Sequence, residues 1–339
     1  MRILVIRRGA IGDVIVTLPT VEILRKNYPD AYMEVIGNPG YWEIAYKRGY
    51  IDAVSKGDTS LVPELYVRDR KLSKEASDYF SAFDLIIGYA SDPEGIVTEN
   101  LRKTGAKRVI TCHPFPKEDN LHAADYTALV LREIGLEVSP PLIPRIYLKE
   151  EDLYFASRFL SSIDFKSKET HSNASLQSEF GPNLPNKPLV AIHPRTHGVK
   201  GLPIEKFINI GRWLDNTFGA TTIWITGQAE EENTDMIKSN FPSSPLLHLH
   251  ALPKVAAVLS LSDLYFGCDT GISHLAAAAG VRVLALFGPT DPNVWGPRGK
   301  RVWIIKANDM SKFKEDILKD AILGCSRGND LEECKILHV

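Results

Sequence analysis

The feature that most constrains the fold is the stretch of residues 264–297, which reads LYFGCDTGISHLAAAAGVRVLALFGPTDPNVWGP. A short apolar strand is followed by a polar turn at Asp269, Thr270 and Gly271, then by a helix of small residues and a second strand. Backbone N–H groups at the start of such a helix are unpaired, and the helix dipole favours an anion there. Gly271 permits close approach, and His274 in the first turn offers a further donor. The stretch therefore predicts a strand–turn–helix unit that binds a phosphate group.

Strand and helix signals alternate along most of the chain. Residues 1–13 read as a buried strand and a glycine-containing turn, and apolar positions at helical spacing then continue to about Asn27. Pro19 lies inside that pattern, so we expect a kink or a late start to the regular helix. The alternation resumes at residue 189 after a region rich in Pro, Ser and Asn. Such a pattern favours parallel βαβ units with crossover helices.

A chain of 339 residues exceeds the size at which one hydrophobic core usually stops growing, so two domains are expected. Few apolar residues occur between 166 and 186, and we predict a mobile surface loop there because little surface could be buried to offset ordering. The predicted organisation is a first Rossmann-like domain at 1–150, a linker and mobile polar loop at 151–187, a second Rossmann-like domain at 188–310, and a C-terminal helix and tail at 311–339.

Composition excludes several classes of protein. A chain with 44% apolar and 24% charged residues and a net charge of −2 is typical of a globular protein that does not bind nucleic acid. The chain has no run of 18 apolar residues, so we predict no transmembrane segment. Arg7 and Arg8 follow the first apolar strand, whereas in a secretory signal the positive charges precede the apolar segment. We therefore predict a cytoplasmic protein. The four cysteines contain no CxxC pair and predict neither a disulfide framework nor a zinc site, and we expect no metal or other cofactor.

Three stretches together resemble glycosyltransferase family 9, the bacterial heptosyltransferases that transfer heptose from ADP-heptose to the lipopolysaccharide core. They are RRGAIGDVIVTLP, HPRTHGVKGLPIEKF and DTGISHLAAAAGVRVLALFGPTDP, in the family's order and spacing. The resemblance implies the GT-B fold, an α/β architecture of two Rossmann-like domains whose parallel sheets face a central cleft. It also implies an ADP-sugar donor and an anionic glycolipid or glycan acceptor, used by an enzyme that is cytoplasmic or peripheral to the inner face of the cytoplasmic membrane.

Sugar transfer requires a group that removes the proton of the acceptor hydroxyl, and the resemblance implies that Asp13 is this general base. Asp13 follows a strand at a turn into a helix, and Gly12 leaves room beside it. A positioned base typically raises the rate by about 10² to 10⁴. On the residues alone, Asp13 could equally cap the helix that begins near Val14.

Transfer also requires stabilisation of the charge that develops on the departing diphosphate. By resemblance, Thr270 and Gly271 donate to the diphosphate, His274 adds a donor, and Thr196 and Lys200 hold phosphate oxygens. Lys200 would supply a point charge where many transferases use a metal ion. The residues alone also allow Lys200 to be a solvated loop lysine and His274 to be a packed helix histidine.

The same resemblance implies that carboxylates bind the sugar and the ribose of the donor. Asp269 meets hydroxyl groups of the sugar, and Glu231 hydrogen-bonds the ribose. Glu230 and Glu232 flank Glu231 and are alternatives, and all three also suit the charged first turn of a helix.

The acceptor would need a basic patch if it is an anionic glycolipid, and Arg68, Arg70 and Lys71 form such a run in the first domain. The alternative is an exposed surface whose charge is balanced by Asp69 and Glu75.

Arg8, Gly9 and Ala10 stand where many heptosyltransferases carry Ser or Thr, and this departure from the family pattern leaves the acceptor and the sugar open. Two further departures leave the diphosphate contact and the base open. Arg195 stands where core heptosyltransferases carry a hydroxyl residue, and the segment at 201–203 lacks the frequent Trp before Pro. A Rossmann dehydrogenase and a P-loop NTPase are excluded because the chain has neither G-x-G-x-x-G nor G-x-x-x-x-G-K-[ST]. A non-catalytic sugar-nucleotide binder remains an alternative, since it would keep the stretch 264–297 but would need no base at Asp13.

Overall fold

The computed structural model describes residues 1–56, 61–68, 71–116, 121–162, 187–248, 251–327 and 335–338. The chain divides into two compact units, Met1–Tyr147 and Leu148–Val339. The boundary falls three residues before the end of the predicted first domain. The loop predicted at 166–186 lies outside the described residues.

The first unit is built on a sheet of five strands, in which every pairing is parallel. Its strands are β1 (Arg2–Ile6), β2 (Tyr32–Gly37), β3 (Ala53–Lys56), β4 (Leu85–Tyr89) and β5 (Val109–Cys112), and they lie in the order β3-β2-β1-β4-β5. β1 and β4 are almost wholly buried apolar runs, as expected of central parallel strands covered on both faces.

Among the described residues, five helices connect these strands and a sixth follows β5, and Leu4, Phe80 and Ile86 lie in the core that forms under them. The helices are α1 (Ile11–Asn27), α2 (Pro39–Trp42), α3 (Leu61–Glu64), α4 (Lys74–Ser81), α5 (Ile96–Lys103) and α6 (Ala123–Leu129), the last continued by a 3₁₀ turn at Val130–Ile134. The sequence reading omitted α3 and α5.

Helix α1 begins earlier than predicted. The expectation of a late start is wrong, because α1 starts at Ile11 and runs through Pro19 without interruption. The first turn is already closed at Ala10, whose carbonyl accepts from the Val14 N–H at 3.2 Å and whose N–H donates to Asp13 Oδ2 at 2.8 Å. Asp13 is thus the third residue of the helix, and the helix does not begin at Val14.

The second unit contains a sheet of seven strands, again with parallel pairing throughout. Its strands are β6 (Leu189–His193), β7 (Thr221–Thr226), β8 (Leu246–His248), β9 (Leu264–Cys268), β10 (Val283–Phe287), β11 (Val302–Lys306) and β12 (Lys335–His338), in the order β12-β11-β10-β9-β6-β7-β8. Phe207, Trp224 and Phe266 are fully buried in the core on one face of this sheet.

The helices of the second unit are α7 (Glu150–Ser161), α8 (Ile204–Phe218), α9 (Thr234–Asn240), α10 (Leu252–Ser260), α11 (Gly271–Ala278), α12 (Pro292–Trp295) and α13 (Glu315–Arg327). Helix α7 occupies the first part of the segment predicted as a linker; it packs on α10 within the second unit. Strand β12 pairs with β11 where the sequence predicted only a polar tail. Among the described helices, none combines the length and the apolar character needed to cross a bilayer.

Both sheets reverse their strand order once. In the first, the chain proceeds from β1 through β2 to β3 on one side and through β4 to β5 on the other. In the second, the reversal lies between β6 and β9. Loops at the carboxyl ends of the two strands that flank such a reversal diverge and leave a crevice, which is where ligands bind in open parallel sheets. We therefore expect ligands to bind at the loops after β1, β4, β6 and β9.

Candidate active site

Asp13 lies in the loop-to-helix turn that follows β1, at the reversal of the first sheet. Its Oδ1 accepts from Arg7 Nη2 at 3.1 Å and its Oδ2 accepts from the Ala10 N–H at 2.8 Å. The side chain keeps 16% of its surface exposed. Each carboxylate oxygen can accept more than one hydrogen bond, so the group is held in a fixed orientation and still has capacity for a further proton donor.

Arg7 is the residue of this site that sequence reasoning missed. It directly follows β1 and is buried, with only 1% of its side chain exposed. Besides Asp13, its guanidinium donates to Thr17 Oγ1 at 3.1 Å and to the Pro114 carbonyl at 2.7 Å. Thr17 in turn donates to the backbone carbonyl of Asp13 at 2.7 Å. The buried cation therefore fixes the Asp13 carboxylate against both the helix and the loop after β5.

The close approach of Asp13 depends on Gly9. This glycine has φ of +147°, a backbone conformation that other residues rarely adopt. A Cβ atom at this position would lie 2.5 Å from Asp13 Oδ2 and 2.8 Å from Asp13 Cγ. Only glycine leaves room for the carboxylate to reach the Ala10 N–H.

In the second unit, the loops after β6 and β9 bring Lys200 and Asp269 together across 69 residues of sequence. The Lys200 ammonium and Asp269 Oδ2 are 2.5 Å apart. The exposed fraction of the side chain is 8% for Asp269 and 34% for Lys200. Sequence reasoning assigned the lysine to the phosphates and the aspartate to the sugar. In the structure they form a charge-assisted hydrogen bond with each other.

Thr270 and Gly271 occupy the start of α11, as the sequence predicted. Thr270 is the N-cap residue in extended conformation, but its hydroxyl makes no capping bond, and Oγ1 is buried without a hydrogen-bond partner. The first helical N–H groups follow at Gly271. His274 is buried within the helix, with 7% exposure. A buried hydroxyl beside unpaired helix N–H groups is a polar site suited to an anion.

The remaining donor candidates lie on the neighbouring loops. Thr196 accepts from Asn233 Nδ2 at 2.9 Å, a contact the sequence did not indicate. Glu231 lies exposed in a 3₁₀ turn at Gln228–Asn233 after β7. Glu232 pairs with His197 at 3.0 Å, which joins that turn to the loop carrying Thr196.

The basic run predicted to contact the acceptor is only partly described. Arg68 forms an exposed ion pair with Glu94, in the loop before α5, and Lys71 is exposed. Arg70 lies outside the described residues, as does Asp69, which the alternative reading required. An exposed pair of this kind contributes little to stability and leaves both groups accessible to a charged ligand.

Where the structure describes cysteine side chains, two are free and lie close to these sites: Cys112 at the end of β5 and Cys268 directly before Asp269. Burial raises the pKa of each thiol to about 12. Both are therefore neutral at physiological pH, and reactive thiolate chemistry is not expected of either. Among the described residues, no group of three or more His, Cys, Asp and Glu side chains could hold a metal ion.

Comparison with known proteins places this geometry in context. The family model described as glycosyltransferase family 9 (heptosyltransferase) matches residues 150–321, half of the chain. Lipopolysaccharide heptosyltransferase 1 of Escherichia coli O18:K1:H7 (strain RS218) is 25% identical over 341 residues, covering 95% of this chain and 97% of that protein.

Two solved structures share the fold at low identity. A family 9 glycosyltransferase from Veillonella parvula has a TM-score of 0.71 and 18% identity, and the match covers 96% of this chain and 97% of the other. Escherichia coli heptosyltransferase WaaC with ADP-2-deoxy-2-fluoro heptose has a TM-score of 0.61 and 21% identity, with coverage of 95% and 99%. The predicted GT-B class, with two parallel α/β sheets, is confirmed. The chain belongs to glycosyltransferase family 9, the heptosyltransferase family.

Proposed function

We propose that this protein transfers a heptose from ADP-heptose to a sugar hydroxyl of an anionic glycan of the lipopolysaccharide-core type, with inversion at the anomeric carbon. The second unit binds the donor, and the first unit binds the acceptor and supplies the base. The proposal is supported by family membership, by a relative named as a lipopolysaccharide heptosyltransferase, and by a solved structure of a similar protein with the ADP-heptose analogue ADP-2-deoxy-2-fluoro heptose.

The observation that carries the donor assignment is the meeting of two loops at the strand-order reversal of the second sheet. One loop supplies Lys200, and the other supplies Asp269, the buried hydroxyl of Thr270 and the N-terminus of α11. A diphosphate placed here would accept hydrogen bonds from Thr270 and from the backbone at Gly271, and it would compete with Asp269 for the Lys200 ammonium. Asp269, once released from the lysine, would be free to accept from sugar hydroxyls.

Three further residues complete the proposed donor site. Thr196 and His274 add donors to the phosphates, and Glu231 hydrogen-bonds the ribose. The exposed position of Glu231 suits a group that must reach a ligand arriving from solvent.

Asp13 is the proposed general base. The acceptor hydroxyl transfers its proton to the Asp13 carboxylate while its oxygen attacks the anomeric carbon of the donor sugar. The bond from that carbon to the diphosphate oxygen breaks on the opposite face, and ADP leaves with the electron pair. The partly exposed carboxylate, oriented by Arg7 and the Ala10 N–H, supports this role because a base must reach its proton at hydrogen-bond distance.

The acceptor is proposed to be recognised through its negative charge. Arg68 and Lys71 are exposed cations of the first unit, and Arg70 is proposed to extend the same patch. A glycolipid acceptor of this kind would place the enzyme on the inner face of the cytoplasmic membrane, held by the acceptor and by anionic headgroups.

The test combines binding and turnover. Calorimetry with ADP, UDP, GDP and NAD should give the tightest binding for ADP, and NAD binding alone would refute the donor assignment. Asp13→Asn should abolish transfer from ADP-heptose and leave donor affinity within about threefold, since the base is worth about 10² to 10⁴ in rate. Glu22→Gln changes a carboxylate on the same helix that pairs with Lys26 at 2.8 Å and has 15% of its side chain exposed, close to the 16% of Asp13; it is the matched control and should keep full activity. Retained turnover in Asp13→Asn would favour a different base, and donor binding without any transfer in the wild type would favour a non-catalytic binder.

A further inference from the structure

Arg195 lies two residues beyond the end of β6, in the same loop as Thr196 and Lys200. The ends of this loop are joined by a hydrogen bond from the Leu202 N–H to the Arg195 carbonyl at 2.9 Å. The position of Arg195 is thereby set by the strand and by its own loop. Its Nε is buried and has no hydrogen-bond partner.

The other basic side chains of the loop have acidic partners. Lys200 pairs with Asp269 at 2.5 Å and His197 pairs with Glu232 at 3.0 Å. Within the described part of the chain, no carboxylate lies within ion-pair distance of the Arg195 guanidinium. Because Lys200 and Asp269 cancel each other's charge, Arg195 is the side chain of this loop that brings a net positive charge to the reversal point.

The charge of Arg195 acts at the end of β9. Burial raises the pKa of the Cys268 thiol, and the positive charge of Arg195 opposes that increase. Strand β6 pairs in parallel with β9, with His193 opposite Gly267, so Arg195, two residues beyond that pair, lies beside the turn at Asp269 and Thr270 that begins α11. Thr270 Oγ1 is also buried without a partner. Two orphan polar groups on adjacent loops therefore lie near the same helix N-terminus.

An unpaired buried donor destabilises the free protein, and a ligand that pairs with it recovers that energy on binding. A guanidinium offers five donors in a planar fork that matches the oxygens of a phosphate. We infer that Arg195 is a second cationic ligand of the donor diphosphate. Its guanidinium contacts the diphosphate directly, beside the Lys200 ammonium. This inference rests on the proposed function, because it assumes that a nucleoside diphosphate binds at the β6–β9 reversal.

The experiment measures the affinities of ADP and adenosine for the wild type, Arg195→Ala and Arg195→Lys by calorimetry, at two salt concentrations. A hydrogen-bonded charge contact of about 1.5 to 3 kcal/mol corresponds to a loss of about 10- to 100-fold in ADP affinity for Arg195→Ala. Adenosine lacks both phosphates, so its affinity should stay the same in all three proteins. Arg195→Lys should restore part of the ADP affinity, because it keeps the charge but not the fork. The dependence of ADP affinity on salt should weaken in Arg195→Ala.

The outcomes separate the inference from the proposed function. A wild type that binds no ADP would refute the donor site and the inference together. A wild type that binds ADP, with Arg195→Ala binding it equally well, would overturn the inference alone. Equal losses for ADP and adenosine would assign Arg195 a structural role and would also overturn it. If Arg195→Ala does not fold, the ratio of ADP to adenosine affinity in Arg195→Lys is compared with that of the wild type. A lower ratio supports the inference, and an unchanged ratio overturns it.

Discussion

Replacing Gly9 with alanine tests whether the orientation of Asp13, and not only its presence, is required for transfer. Alanine at φ of +147° is strained by about 1 to 3 kcal/mol. Its Cβ would also lie 2.5 Å from Asp13 Oδ2, a distance at which the carboxylate must move. That movement breaks the hydrogen bond from the Ala10 N–H, and a bond to a charged group contributes about 1.5 to 3 kcal/mol. We therefore expect Gly9→Ala to lower the free energy of unfolding by about 2.5 to 6 kcal/mol.

Gly9→Ala should lower the rate of transfer as well as the stability of the fold. A displaced base loses most of its contribution, so kcat for transfer from ADP-heptose should fall by about 100-fold or more. Gly95→Ala is the matched control, because Gly95 also has positive φ, +74°, but a Cβ there meets no atom within 4 Å. This control should lose about 1 kcal/mol from backbone strain and keep its kcat. Urea denaturation and single-turnover assays at saturating donor provide the two measurements. A Gly9→Ala enzyme with wild-type kcat would refute the role assigned to the Asp13 geometry.

Two further predictions concern buried groups. Arg7→Met removes the buried partner of Asp13, and we expect the free energy of unfolding to fall by about 3 kcal/mol, against less than about 0.5 kcal/mol for the exposed neighbour in Arg8→Met. Equal denaturation midpoints for these two variants would contradict the reasoning. Burial raises the pKa of Cys268 from 9.0 to about 12, so the folded chain keeps a thiol proton that the unfolded chain loses, and stability should decline as pH rises through this range. The free energy of unfolding, measured between pH 8 and 11, should decline less steeply with pH for Cys268→Ala than for the wild type. Identical curves would show that the thiol does not contribute to this pH dependence.

Local sequence signals predicted most of both sheets. Buried apolar runs such as β1 and β9, followed by turns and helical spacing, specify strand–helix units without knowledge of distant contacts. The same signals were available for α5 and α7. Val97 and Leu101 are spaced as on one helix face, and three acidic residues open α7. Because a proline- and serine-rich region lies nearby, the segment that forms α7 was predicted to belong to a linker.

Other features depend on contacts that no local pattern contains. Arg7 reads as a cation after a strand, and its burial follows from the Pro114 carbonyl 107 residues away. Lys200 and Asp269 were each predicted for a ligand, and their pairing follows from the adjacency of β6 and β9 in the sheet. Strand β12 is four residues long and is defined by its pairing with β11. Such features could be predicted only after the strand order was known.

The hydrogen bond that joins Arg195 to Leu202 has a consequence for protein engineering. The loop between these residues begins and ends at one point beside β6, so its length and composition can change without moving the strand or α8. Gly201 fits tightly in this turn, where a Cβ would lie 2.7 Å from the Thr196 carbonyl carbon. The segment can therefore be exchanged whole between relatives that keep Asn233, Glu232 and Asp269, the partners of its side chains, and such grafts should alter donor preference more cleanly than single substitutions.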